Sequence, residues 1–154
     1  SFADTDDFAL KTKKPEEKKD SISDNLTLFS DRVRESVADL ITGSIFKGTL
    51  DNSHPLAFGY GKNYFSLKLS GTSYSYLKEG YNVGYFNEET KNVSGYAGSK
   101  ASKEVSKSLL FGEEQMGNGS IIYMVDNPLF RSFWENGKLF VANAVFLLNS
   151  DILK

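Results

Sequence analysis

Apolar residues in the last third of the chain form two runs, then a helical stripe. The runs 108–115 and 120–125 flank Met116-Gly117-Asn118-Gly119. Asn-Gly tolerates the positive φ angles of a tight turn, so the two runs are predicted to pair as an antiparallel hairpin. Ile121-Ile122-Tyr123-Met124-Val125 is apolar at every position, which suits a strand covered on both faces. Asn127 is a good N-cap and Pro128 a good first helical residue, opening a helix predicted to reach about Leu148. Arg131, Glu135, Lys138 and Asn149 fall on one face of that helix. Phe130, Phe133, Trp134, Phe140, Val141, Ala144, Val145 and Leu148 fall mostly elsewhere. The helix should pack hard on the sheet, with Phe130, Phe133 and Trp134 as core anchors. Arg131 has no purpose that this pattern assigns.

Upstream, Leu26, Phe29, Val33, Val37, Leu40 and Ile41 recur at helical spacing, with Ser30 or Asp31 to cap the amide end and Gly43 as a left-handed stop. A strand over 44–50 turns out at Asp51-Asn52-Ser53. The stretch 64–69 alternates as a strand does, 72–79 reads as a short helix closed by Gly80, and 81–86 as a further strand. A polar turn over 87–92, a short strand over 93–97 and a helical turn over 100–106 complete the middle. The segment 11–25 interleaves lysines with Glu16, Glu17, Asp20 and Asp24 around one aliphatic residue, Ile22; it buries too little to offset its ordering entropy. The organisation expected is 1–10 as the start of a domain or a remnant of an upstream half, 11–25 as a charged flexible loop, and 26–154 as a single α/β domain.

A chain of 154 residues holds one domain with a real core. The net charge of -2 supplies no basic field, so no nucleic-acid partner is expected. No apolar run approaches the roughly 20 residues needed to cross a bilayer, and no membrane insertion is expected. The absence of cysteine removes disulfides, thiolate metal sites and a cysteine nucleophile. The chain opens on Ser1-Phe2-Ala3-Asp4 rather than Met, as a fragment or processed piece does, and a secretion signal would then lie upstream.

Candidate chemistry is sparse. A catalytic zinc takes three protein ligands, typically rich in histidine, and the sequence has one histidine, His54. Its place between Ser53 and Pro55 marks a turn residue rather than a ligand. Only a Ser or Thr activated by His54 or by a Lys could act as nucleophile, and no Gly-x-Ser-x-Gly elbow occurs. Gly95-Tyr96-Ala97-Gly98-Ser99 reads as a turn at a strand end. Carboxylates pair at Asp6/Asp7, Glu16/Glu17, Glu88/Glu89 and Glu113/Glu114, but neighbours on a strand face opposite ways, so Glu113 and Glu114 cannot share a site. Gly59-Tyr60-Gly61-Lys62 and Gly117-Asn118-Gly119 are too short for phosphate loops. Tyrosines 60, 64, 74, 76, 81, 85, 96 and 123 would form a glycan- or peptide-binding surface if exposed together. The reading that weighs more has them straddling the core boundary, ring inside and hydroxyl in water. No catalytic, cofactor-binding or metal-binding residue is assigned.

Three segments together resemble a known family. They are Asn52-Ser53-His54-Pro55-Leu56-Ala57-Phe58-Gly59-Tyr60, Gly80-Tyr81-Asn82-Val83-Gly84-Tyr85, and Asp126-Asn127-Pro128-Leu129-Phe130-Arg131-Ser132-Phe133-Trp134-Glu135-Asn136-Gly137-Lys138-Leu139-Phe140-Val141-Ala142-Asn143-Ala144. The chain is similar to the C-terminal region of large bacterial zinc carboxypeptidase family proteins of the carboxypeptidase A type. The resemblance covers most of 45–148, and 1–11 looks like a helix and strand midway through the same accessory domain. It implies part of a flavodoxin-like sheet, similar to class I glutamine amidotransferases, with flanking helices and a C-terminal hairpin followed by a long helix. The family's zinc motif (His-x-x-Glu with a distant His), its catalytic Glu and the amidotransferase Cys have no counterpart here, so none is carried over. The implied role is a non-catalytic accessory domain that packs on or positions an upstream peptidase domain. Zinc is expected only in that domain, and the location is extracytoplasmic (periplasmic or secreted). With the first strands upstream, the isolated piece would have an open sheet edge and could form a homodimer through it.

Overall fold

The structure, a computed structural model, describes residues 28–148; the segments 1–10 and 11–25 and Asn149 lie outside them. In chain order the elements are α1 (Phe29–Ala38), β1 (Ile41–Leu50), a 3-10 turn (Pro55–Ala57), β2 (Asn63–Lys68), β3 (Tyr81–Phe86), β4 (Asn92–Ala97), α2 (Ser99–Val105), β5 (Ser108–Met116), β6 (Gly119–Met124), a second 3-10 turn (Phe130–Ser132) and α3 (Glu135–Phe146). The fold is α/β with one curled antiparallel sheet, ordered β2-β1-β3-β5-β6, and β4 pairs with β1 off that path.

Alternation builds the sheet. On β2 Tyr64, Ser66 and Lys68 are buried while Asn63 and Phe65 are exposed, as a period of two requires. β1 carries three partners because it is long: β2 runs along Ser44–Thr49, β4 along Ile41–Phe46, and β3 reaches only Thr49–Leu50. Gly43, at φ +106°, sits in β1 where the pairing with β4 shifts register, and such a bulge increases local twist. Curling brings rings from distant strands together inside the sheet: Phe46 meets Phe86 at 6.0 Å, and Tyr64 meets Phe111 at 5.0 Å. Phe140 of α3 closes this core, stacked 3.9 Å from Phe111 and 4.4 Å from Tyr60.

Several sequence expectations hold. The hairpin joins β5 to β6 in an unbroken register from Phe111↔Met124 to Met116↔Gly119. β3 occupies 81–86 as predicted, and Asn87 folds the polar turn by accepting from the Glu89 amide and the Thr90 hydroxyl.

Others are corrected. The turn residues of the hairpin are Gly117-Asn118, not Asn118-Gly119; Gly117 alone has positive φ, as a type II′ turn requires of its first central residue. Gly43 belongs to β1 rather than ending α1. Leu28 is the N-cap of α1 and gives it no side-chain bond. Val33, Val37 and Leu40 are exposed instead of buried. No helix forms over 72–79, because the Asn82 side chain takes both the N–H and the C=O of Leu77, which competes with helical bonding.

The long C-terminal helix is split. Arg131 and Ser132 have φ of 50° and 60°, a left-handed pair no α-helix passes through, and α3 starts only at Glu135. Phe133 is therefore 61% exposed, Phe130 and Trp134 are partly buried, and Phe140 takes the core position expected of them. Ile121–Met124 are each only partly buried, since β6 is a sheet edge. A flavodoxin-like sheet is mostly parallel, whereas every described pairing is antiparallel; the flavodoxin-like or amidotransferase-like sheet is not confirmed.

Candidate functional site

The loop after β1 carries His54 to the mouth of the β5–β6 hairpin. Asp51 starts it by accepting from the Ser53 amide (3.1 Å) and hydroxyl (2.5 Å), and these bonds hold its carboxyl below the usual carboxylate range. Pro55 then fixes the 3-10 turn, and His54 caps it: Nδ1 accepts the Leu56 N–H at 3.2 Å. Asn143, buried on α3, donates to the carbonyls of Leu56 (3.0 Å) and Phe58 (2.8 Å) and so ties the turn to the helix. Tyr60 adds a second tie, donating to the Asn136 carbonyl and accepting the Phe140 N–H; burial pushes its hydroxyl up to about 12.

With Nδ1 an acceptor, the ring proton is on Nε2, and it donates to Glu113 Oε2 at 3.1 Å. Ser120 Oγ donates to Glu113 Oε1 at 2.6 Å. Serine, carboxylate and histidine thus meet, with the Tyr81 ring 5.1 Å from the imidazole. Their order decides what they do. A nucleophilic triad needs the histidine between serine and carboxylate, so that imidazole takes the hydroxyl proton. Here the carboxylate stands between, and both ring nitrogens are engaged. The cluster is a brace between the loop and the hairpin. Burial pushes the His54 pKa down, while Glu113 and Asp51 pull the other way, so the contact with Glu113 is a hydrogen bond from neutral imidazole.

A second cluster lies inside the curl. Lys68 is 1% exposed, with Nζ 3.0 Å from Asp126 Oδ1; Ser66 Oγ donates to Oδ2 at 2.6 Å. Lys68 also lies over the Phe86 ring at 5.8 Å. A serine–lysine nucleophile needs a free amine to receive the hydroxyl proton, and this hydroxyl is committed to Asp126. Asp126 follows β6 whereas its two partners sit on β2, so the ion pair joins the opposite ends of the strand order. Outside the sheet, an open groove of about 360 Å³ is lined by Lys47, Thr49, Asn63, Asn87, Lys91 and Asn92 among others.

Of the paired carboxylates, Glu113 and Glu114 face opposite ways as expected, the latter accepting from the Tyr123 hydroxyl. Glu88 pairs with Lys107 at 2.5 Å and Glu89 lines the groove, while Asp6, Asp7, Glu16 and Glu17 lie outside the described residues. The tyrosines meet in two pairs, Tyr60 with Tyr64 and Tyr76 with Tyr85, and differ widely in exposure. Tyr64 is buried, Tyr76 donates to the Phe86 carbonyl, Tyr81 faces His54, and Tyr96 donates to the Val37 carbonyl. Arg131 rests over the Phe130 ring at 5.2 Å. Ser66, Lys68, Ser120 and Asp126 were missed. The readable signal was Lys68 at an inward position of β2, since a buried ammonium requires a carboxylate.

Among the described residues, no group of three His, Asp or Glu is placed to hold a metal ion, and no helix is long and apolar enough to cross a membrane. No protein-family profile, no curated protein and no solved structure matches the chain.

Proposed function

We propose that the chain is a non-catalytic accessory domain of a bacterial zinc-carboxypeptidase-like protein, packing on or positioning the peptidase domain outside the cytoplasm. The resemblance of 52–60, 80–85 and 126–144 suggests the partner. The observation that carries the non-catalytic part is closure of the polar clusters: each imidazole nitrogen of His54, and each carboxylate oxygen of Glu113 and Asp126, already has a partner within the domain. Packing is supported by the surface. The described residues leave more large apolar side chains exposed than buried, Phe58, Phe133 and Phe146 foremost, as surfaces that sit against another domain do.

The full chain should take up no stoichiometric zinc and release no C-terminal residues from peptides, and it should bind the peptidase domain of the same polypeptide when mixed with it in a calorimeter. Zinc uptake with turnover would overturn the non-catalytic reading. Failure to bind that domain would overturn the packing role.

A further inference from the structure

Among the described residues the strand order leaves β2, β4 and β6 with one unpaired side each, and the three sides are treated differently. On β2 the Phe65 carbonyl is covered by Trp134 Nε1 (3.3 Å) and Asn136 Nδ2 (2.9 Å), which donate to it from the segment leading into α3. β4 is bulged twice against β1, kinked at Gly95 (φ +81°) and exposed along most of its length. Bulges and side-chain plugs are the usual protection of a sheet edge, along with charge and proline. Among the described residues β6 shows none of the four. It reads Gly-Ser-Ile-Ile-Tyr-Met, with no charge, no proline and no register shift against β5.

Hydrogen-bond parity tells which groups of β6 look outward. A two-residue turn closes on a hydrogen-bonded pair, here Met116↔Gly119, and such pairs recur at every second residue. Val125 continues the series, its N–H donating to the Leu110 carbonyl at 3.0 Å. Residues 119, 121, 123 and 125 therefore bond toward β5. The N–H and C=O of Ser120, Ile122 and Met124 point away from it.

We propose that β6 pairs antiparallel with β6 of a second copy of the chain, about a two-fold axis through Ile122. A two-fold axis normal to the sheet keeps each residue on its own face, so residues opposite one another must share parity. Of the symmetric registers, the one centred on Ile122 engages all three outward residues: Ile122 meets itself and Ser120 meets Met124, giving about six backbone hydrogen bonds. Centring on Ile121 or Tyr123 leaves one of the three outside the strand pair. In the Ile122 register Ile121 lies opposite Tyr123 twice, a β-branched and aromatic pairing that stabilises sheets, and no charge meets a like charge. A second copy fits this edge because the strand is complementary to itself; the pairing does not depend on the proposed accessory role.

The test uses the full chain and its lack of cysteine. Light scattering should give a dimer. Ile122→Cys should form a covalent dimer on mild oxidation, since Cα atoms in a hydrogen-bonded pair lie about 5.5 Å apart, within disulfide reach. Ile121→Cys should not, because its symmetry mate is displaced by two residues, about 8 Å away. Ile121→Lys should give a folded monomer, since Glu114 stands opposite it on β5, and its melting temperature, unlike that of the wild type, should not vary with protein concentration. A wild-type chain that stays monomeric at about 1 mM would overturn the proposal. So would equal cross-linking of the two thiols, or an Ile121→Lys variant that stays dimeric.

Discussion

Protonating His54 requires a proton on Nδ1, where the ring now accepts the Leu56 N–H, so two donors would face each other. Burial adds to this and pushes the pKa below the ordinary 6.5. A folded-state pKa below the unfolded value means that the unfolded chain binds the proton first. The contribution of His54 is thus fully present above about pH 6.5 and falls as the pH drops through that value toward the folded pKa. Urea midpoints should decline between pH 7.5 and 5.5, and His54→Gln should flatten that decline. An unchanged midpoint for the wild type would show the ring to be more open than its contacts imply. Asp51, whose carboxyl is held below 3.8, acts in a separate window at lower pH. Lys68 and Asp126 make the other residue-scale case. Asp126→Ala strands a buried ammonium and should cost about 3–5 kcal/mol, whereas Lys68→Met with Asp126→Leu should lose far less. Chemical denaturation compares the two, and equal losses would count against burial as the cause.

At the level of elements, the β strands were legible because each needs only a period of two and a turn at its end. The helical turn over 100–106 was legible too, as α2, but helix ends were not, since they depend on atoms brought from elsewhere. The segment after β6 shows this best. Its Asn-Pro start reads as a helix cap, and the Asn127 side chain does accept the Leu129 N–H at 2.9 Å. Yet the chain turns at Arg131 and Ser132 so that Trp134 and Asn136 reach the β2 edge, and only then does α3 begin. Trp134 is accordingly an edge plug. Trp134→Ala should cost about 1–2 kcal/mol, one hydrogen bond and part of a ring's burial, rather than the ~3–5 of a core aromatic. Gly137 is the less forgiving position: a Cβ there would meet the Pro128 carbonyl, backbone on both sides. Gly137→Ala, favourable in most helices, should here lower the melting temperature and destabilise by at least about 1–3 kcal/mol. A gain in thermal unfolding would mean α3 can move off Pro128.

For the whole molecule, the sequence by itself determined the α/β class, the hairpin, the strands of the middle and the absence of any complete catalytic motif, because these follow from local spacing and from residue types present or missing. It also placed Glu113 and Glu114 on opposite faces, an outcome of strand geometry alone. Tertiary structure decided what local pattern does not encode. Antiparallel pairing of β1 with three strands curls the sheet until Asp126 reaches Ser66 and Lys68, sixty and fifty-eight positions away. It sets Glu113 between His54 and Ser120, and so makes a brace of groups that in another order would be reactive. It plugs the β2 edge with Trp134 and, among the described residues, sets no strand against the outer side of β6. Each of these is a meeting of residues distant in sequence, fixed by strand order and register, and spacing along one chain carries no information on which distant strand a given face will meet.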